Sequence, residues 1–149
     1  MDLIGYIGVA AAFGLSALGS GIGAGIAGQA AIGAWKRNYT LNQAPSFLLV
    51  VFAGAPLTQT IYGFIVMKSM EAAMLNPATT PGQSIFRMAL GILSGAAIGC
   101  SAAAQGMASA ASCDAFGETG KGFAQDLIVV GLCETVAIFT MAFTLASLG

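Results

Sequence analysis

Four long apolar runs organise the chain. Residues 3–35, 38–67 and 88–113 contain no charged side chain, and a fourth run from Leu127 to the C-terminus is interrupted only by Glu134. A helix needs about 20 apolar residues to cross a bilayer, so each run predicts a membrane-spanning helix. Connecting loops are expected near residues 36–44, 75–84 and 113–123. The first run does not read as a cleavable signal peptide, because it opens on Asp2 instead of a basic stretch and its apolar length is too great.

The pattern occurs twice. Residues 19–34 (GSGIGAGIAGQAAIGA) align with 95–110 (GAAIGCSAAAQGMASA), with six of sixteen positions identical. Glycine and alanine bias inflates that score, so the matched pair Gln29 and Gln105 is the more informative signal. The following helices align too, with Gln59 of PLTQTIYGF falling on Glu134 of GLCETVAIF. The chain therefore reads as two tandem helical hairpins, residues 1–76 and 77–149, entering the membrane in the same direction. Two equivalent positions hold one acid, Glu134, and one amide, Gln59.

Composition sets the solvent. The chain is 57% hydrophobic and 7% charged, against about 25% charged residues in soluble domains. Its surface must be covered by lipid, which makes this an all-α membrane protein of four transmembrane helices. Little sequence lies outside the spans. There is no P-loop and no basic arm for nucleic acid, and the glycine-rich GSGIGAGIAG lies inside a span without the preceding strand that a dinucleotide site requires. The chain is expected to catalyse no reaction itself. Cys100, Cys113 and Cys133 form no CxxC pair and read as small apolar residues.

The first helix of each hairpin is built from Gly, Ala and Ser, and the second from Leu, Ile, Val, Phe, Met and Tyr. Small surfaces let backbones approach closely in lipid. Smallness around the whole helix favours a crowded inner ring of a homo-oligomer, with bulky helices outside, over a simple dimer.

Glu134 is the candidate functional residue. An ionised acid at bilayer depth costs roughly 2.5–3.5 kcal/mol on insertion scales, a burden tolerated mainly where the acid binds something. Gln105 and Glu134 are equidistant from the Gly117–Gly120 stretch, where a turn is expected, which puts both roughly 20 Å from it at 1.5 Å rise per residue. Gln29 and Gln59 are placed symmetrically about position 44 in the same way. Ala55, Thr58, Gln59 and Tyr62 share one helix face. Pro56 lacks an N–H, which leaves the Phe52 carbonyl without its helical donor and disturbs the backbone around Ala55. One carboxylate, two amides, two hydroxyls and loosened carbonyls suit a hard monovalent cation. The number of polar groups favours Na⁺; a proton site surrounded by polar packing is the alternative.

These residues carry a resemblance. The duplicated hairpin, the glycine-rich first helices and the lone acid in the fourth helix resemble the rotor-ring proteolipid (K or c subunit) of V-type and A-type rotary ATPases, over essentially the whole chain. Pro56, Thr58-Gln59, Tyr62-Gly63, Ala104-Gln105-Gly106 and Glu134-Thr135 are similar to the sodium-translocating branch. The resemblance implies Na⁺ ligands at Glu134, Gln105, Gln59, Thr58 and the Ala55 carbonyl, with Tyr62 hydrogen-bonding the acid. Leu57 departs from the family's less crowded loop at this point, so the Ala55 ligand is the loosest part of the match. It also implies a ring of identical subunits, a stator membrane subunit with an essential arginine, and central-stalk subunits on the cytoplasmic loops. A multi-pass protein of a bacterial or archaeal plasma membrane is expected. Lys36, Arg37 and Lys121 against Lys68 and Arg87 place the 36–44 and 113–123 loops in the cytoplasm and both termini outside. A small four-helix cation or drug transporter and a glycine-packed pore are the rival readings. The pore gives no reason for Glu134, Gln59 and Gln105 to share one depth.

Overall fold

The computed structural model describes residues 3–148. The chain folds as α1 (Leu3–Thr40), α2 (Leu49–Gly54), a 3-10 turn (Ala55–Leu57), α3 (Thr58–Met74), α4 (Pro81–Thr119) and α5 (Phe123–Ala146), with no strand among the described residues. Four segments are long and apolar enough to cross a membrane: α1, the α2–α3 segment, α4 and α5. This is the expected pair of hairpins in an all-helical membrane protein.

The helices outrun the sequence expectation. With 38 and 39 residues, α1 and α4 reach about 57–59 Å at 1.5 Å per residue, nearly twice the hydrocarbon thickness of about 30 Å. Each continues past its uncharged run into a charged extension. Arg37 of α1 and Glu118 of α4 pair there at 2.5 Å, within the stretches that the charge pattern predicts to be loops. The connections are accordingly shorter. The turn near 113–123 contracts to Gly120–Gly122, in which Gly120 (φ 64°) and Gly122 (φ 87°) take the left-handed backbone that glycine allows. Gly117, expected in that turn, is instead helical and packs against Ala34. α4 begins with Pro81 in its first turn and a capping box, in which Thr80 and Gln83 satisfy each other's backbone N–H groups.

α1 and α4 form the centre of the molecule. Gly8 meets Gly91, Gly23 meets Gly106 and Ala34 meets Gly117, so the two helices run parallel. The approach is backbone on backbone. A β-carbon placed on Gly19 would lie 2.1 Å from the Gly99 carbonyl oxygen, and one on Gly91 2.1 Å from that of Gly8. Lipid tails are as apolar as leucine, so membrane helices associate through such close van der Waals packing instead of hydrophobic burial. The bulky α3 and α5 lie outside this pair, and α5 is the least buried span. α3 closes on α1 at Gly63, whose α-carbon faces Ser16 and the Ala12 carbonyl.

Two apolar clusters fill the interior. One gathers Val9, Ala12, Val66, Met70, Ile98 and Ala137 towards the chain termini. The other gathers Ala31, Ala34, Leu49, Phe52, Phe116 and Val130 towards the 120–122 turn. There Phe52, Phe116 and Phe123 pack edge-on or tilted against one another with ring centroids 5.1–6.4 Å apart. The polar side chains of the candidate site lie between the two clusters.

Candidate ion-binding site

Pro56 shapes the first wall. α2 stops at Gly54, and the chain makes one tighter turn before α3 resumes at Thr58. The expected loss at Phe52 is made good locally, since its carbonyl accepts the Ala55 N–H in a shorter 3-10 bond. The Ala55 carbonyl accepts both the Thr58 N–H and the Thr58 hydroxyl, the latter at 3.1 Å. Leu57 points outward and stays exposed.

From Thr58 a single hydrogen-bonded chain crosses the protein. The Thr58 hydroxyl also lies 3.1 Å from Gln59 Oε1. Gln59 Nε2 donates to Gln105 Oε1 at 2.7 Å. Gln105 Nε2 donates to the Val130 carbonyl at 3.1 Å and to Glu134 Oε2 at 3.3 Å. The other carboxylate oxygen, Oε1, accepts the Tyr62 hydroxyl at 2.5 Å. The Val130 carbonyl can only accept, so it fixes which end of the Gln105 amide faces α5, and every amide behind it follows. Ala55, Thr58, Gln59, Tyr62, Gln105 and Glu134 thus converge from three helices on one cluster.

Burial divides the cluster. Gln59 and Gln105 are 0% and 1% exposed, whereas Glu134 is half-buried on α5. The carboxylate stands at the rim of the protein, with its polar partners behind it. An acid so placed is held from inside and open to exchange from outside. Among the described residues no group of three or more His, Cys, Asp or Glu side chains comes together, so the oxygen-rich chemistry of the cluster comes from amides, hydroxyls and carbonyls around one acid.

Gln29, the repeat partner of Gln105, lies elsewhere. It is exposed on α1. The packing sets Gly23, not Gln29, beside Gly106, and six residues of helix amount to about 9 Å. The assumed symmetry about position 44 fails because the 41–48 connection folds back along α1, where the Trp35 indole N–H donates to the Ser46 carbonyl. Pro56 consequently lies against Gly23, and Gly63 against Ser16. One contributor escaped the sequence reading. The Ser101 hydroxyl donates to the Cys133 carbonyl at 2.6 Å. Its signal was the spacing to Gln105, since residues four apart share a helix face.

Comparisons with known proteins agree with this architecture. The family model for the C subunit of ATP synthase matches residues 7–70 and again residues 88–146, once in each hairpin. The K subunit of an A-type ATP synthase from Methanocaldococcus jannaschii is 32% identical over 139 residues, which cover 92% of this chain. The chain spans only 58% of the length of that relative. Two family matches that together take in most of the sequence, laid over a duplicated hairpin, establish the relationship: the chain belongs to the C-subunit family of ATP synthases.

Proposed function

We propose that this chain is the rotor proteolipid of an A-type or V-type rotary ATPase and that it carries Na⁺ across the membrane. The observation behind this reading is the half-buried Glu134 carboxylate backed by Gln105, Gln59, Thr58 and the Ala55 carbonyl. In this reading those oxygens surround the ion, and Tyr62 holds the carboxylate in place. Ion entry breaks the Gln59–Gln105 and Gln105–Glu134 contacts, so that the amide oxygens and the carboxylate turn to the ion while the Gln105 N–H stays on the Val130 carbonyl. Glu134 with its bound ion is electrically neutral, so it can face lipid while a ring of identical subunits turns. An arginine of the stator membrane subunit then displaces the ion into an exit channel. Central-stalk subunits that touch the charged ends of α1 and α4 link rotation to ATP made or hydrolysed elsewhere in the complex. The chain itself catalyses no bond change. It is a multi-pass protein of a bacterial or archaeal plasma membrane.

A proton ring is the second reading. It draws on the orientation of Gln105, whose amide hydrogens already face the carboxylate. Carbodiimide labelling separates the two, because the reagent attacks the protonated acid. Under the sodium reading, Na⁺ protects Glu134, protection strengthens as pH rises, and K⁺ at equal ionic strength protects poorly. Gln105→Ala and Thr58→Ala weaken the protection while leaving Glu134 reactive. Labelling indifferent to Na⁺ at every accessible pH would assign the ring to protons.

A further inference from the structure

We propose that Ser101 is a positioning residue for the ion-binding acid: its hydroxyl pins α5 at Cys133 so that the next residue, Glu134, stands at the Gln105 amide. The proposal rests on Glu134 being the ion-binding acid, not on which ion it takes.

Ser101 is 5% exposed, and its hydroxyl reaches the Cys133 carbonyl at 2.6 Å across the α4–α5 interface. Cys133 and Glu134 are adjacent, so an anchor at one carbonyl fixes the root of the acid side chain. Ser101 and Gln105 are four residues apart on α4, and Val130, Cys133 and Glu134 share one face of α5. Ser101 to Cys133 and Gln105 to Val130 are therefore two rungs between the same pair of helices. The division of labour follows from the donor count. Gln105 has one NH₂ group, which serves both the Val130 carbonyl and Glu134 Oε2. Without the Ser101 rung, that amide must tie α5 to α4 at this point while it shares the orienting of the acid with Tyr62. α5 is held lightly: it is the least buried span, only Val130, Ala137 and Thr144 are buried among its described residues, and a β-carbon on Gly131 would meet nothing within 4 Å. Other serines of α4 do not do this. Ser112 bonds the Ala108 carbonyl and Ser94 the Gly91 carbonyl, both within α4 itself. In the first hairpin, which lacks the acid, the position aligned with Ser101 is Gly25, with open space around its α-carbon.

The test compares Ser101→Ala, Ser101→Thr and Ser101→Val, with Ser112→Ala as the control, in intact purified rings. Thr and Val have nearly the same shape and differ by the hydroxyl. The readouts are the carbodiimide labelling rate of Glu134 without Na⁺ and the Na⁺ concentration giving half-protection. Ser101→Ala and Ser101→Val are expected to change the labelling rate at least 3-fold and to raise the half-protection concentration 3- to 10-fold. Ser101→Thr should stay within 2-fold of the parent, as should Ser112→Ala. Equal behaviour of the Thr and Val variants, or a Ser112→Ala effect as large as that of Ser101→Ala, overturns the proposal. If the parent ignores Na⁺, the sodium reading fails while the labelling rate without Na⁺ still decides the role of Ser101.

Discussion

The two hairpins descend from one pattern and are held together by different means. In the first, α3 lies on α1 by direct contact, with Gly63 against Ser16 and Pro56 against Gly23. Its helix-1 glutamine, Gln29, is exposed and outside the cluster. In the second, α4 grips α5 through side chains, with Ser101 and Gln105 donating to carbonyls at Cys133 and Val130. The half with the acid kept polar rungs, and the half without it closed on glycine. Gln59 is what the first hairpin contributes. It forms no second site, because its amide points into the same cluster and donates to Gln105. A polar rung between membrane helices averages about 0.6 kcal/mol, so such rungs add little to assembly. Their value here is orientation.

The comparison breaks most completely at the acid. Glu134→Gln should abolish ion transport and coupled ATPase activity while the chain still inserts, since an amide is cheaper than an acid at bilayer depth. Moving the acid across the repeat, by Gln59→Glu together with Glu134→Gln, should restore nothing. Residue 59 is fully buried whereas residue 134 stands at the rim, so under the proposed function a relocated acid would be unable to exchange its ion with a stator. Transport and ion stoichiometry measured on reconstituted complexes test both. Recovery of coupled transport in the swapped protein would mean that the hairpins are interchangeable after all.

The next effect concerns how the halves meet. Gly19→Ala or Gly91→Ala drives a methyl group into facing backbone. Overpacking of this kind typically costs about 1–3 kcal/mol, and backbone can yield less than a side chain. Gly25→Ala, with nothing within 4 Å, and Val50→Leu, on an exposed position of α2, should leave the folded protomer unchanged. Thermal unfolding in detergent compares the four. A loss of intact ring in Gly25→Ala with an unaltered protomer would place that open glycine face at the contact between protomers. Equal melting temperatures for all four variants would remove glycine contact as the joint between hairpins.

Much of this arrangement was legible in the residues, and the exceptions share a cause. Counting outward from the glycine stretch pairs Gln105 with Glu134 even though the turn lies at Gly120–Gly122, because so small a shift moves the pairing by less than one helical turn. Thr58, Gln59 and Tyr62 followed from helical spacing. Counting failed at Gln29 because the eight-residue 41–48 connection doubles back, and a sequence does not display how much axial length a loop consumes. Helix ends differ from the sequence expectation because Lys36, Arg37, Asp114 and Glu118 mark only the end of the apolar run, not the end of the helix. The spacing of Ser101 to Gln105 shows its helix face but not its partner, because the acceptor is a main-chain carbonyl, which every residue has. The glycines could be seen to be small, but not which of them face backbone inside the protomer and which face outward.

The smallest expected effect is at the charged ends. Arg37 and Glu118 link α1 to α4, and so one hairpin to the other, at the point where both helices leave the apolar zone. This is the one ion pair between the hairpins among the described residues. It resembles a clasp, yet both side chains are about half exposed. Water and salt screen such a pair, and ordering two long side chains offsets what attraction remains. Arg37→Gln should therefore leave the unfolding midpoint unchanged within error, at low and at high salt alike, while Gly19→Ala in the same assay lowers it clearly. Asp114 also lies on this end of α4, so a salt-dependent loss in Arg37→Gln would show a wider charge network joining the hairpins. That outcome would shift the joint from glycine backbone to charge. An unchanged midpoint leaves the pair free for another use: under the proposed function it belongs to the charged surface that a stalk protein would meet, and the binding of such a protein, not the stability of the ring, is where Arg37→Gln should then register.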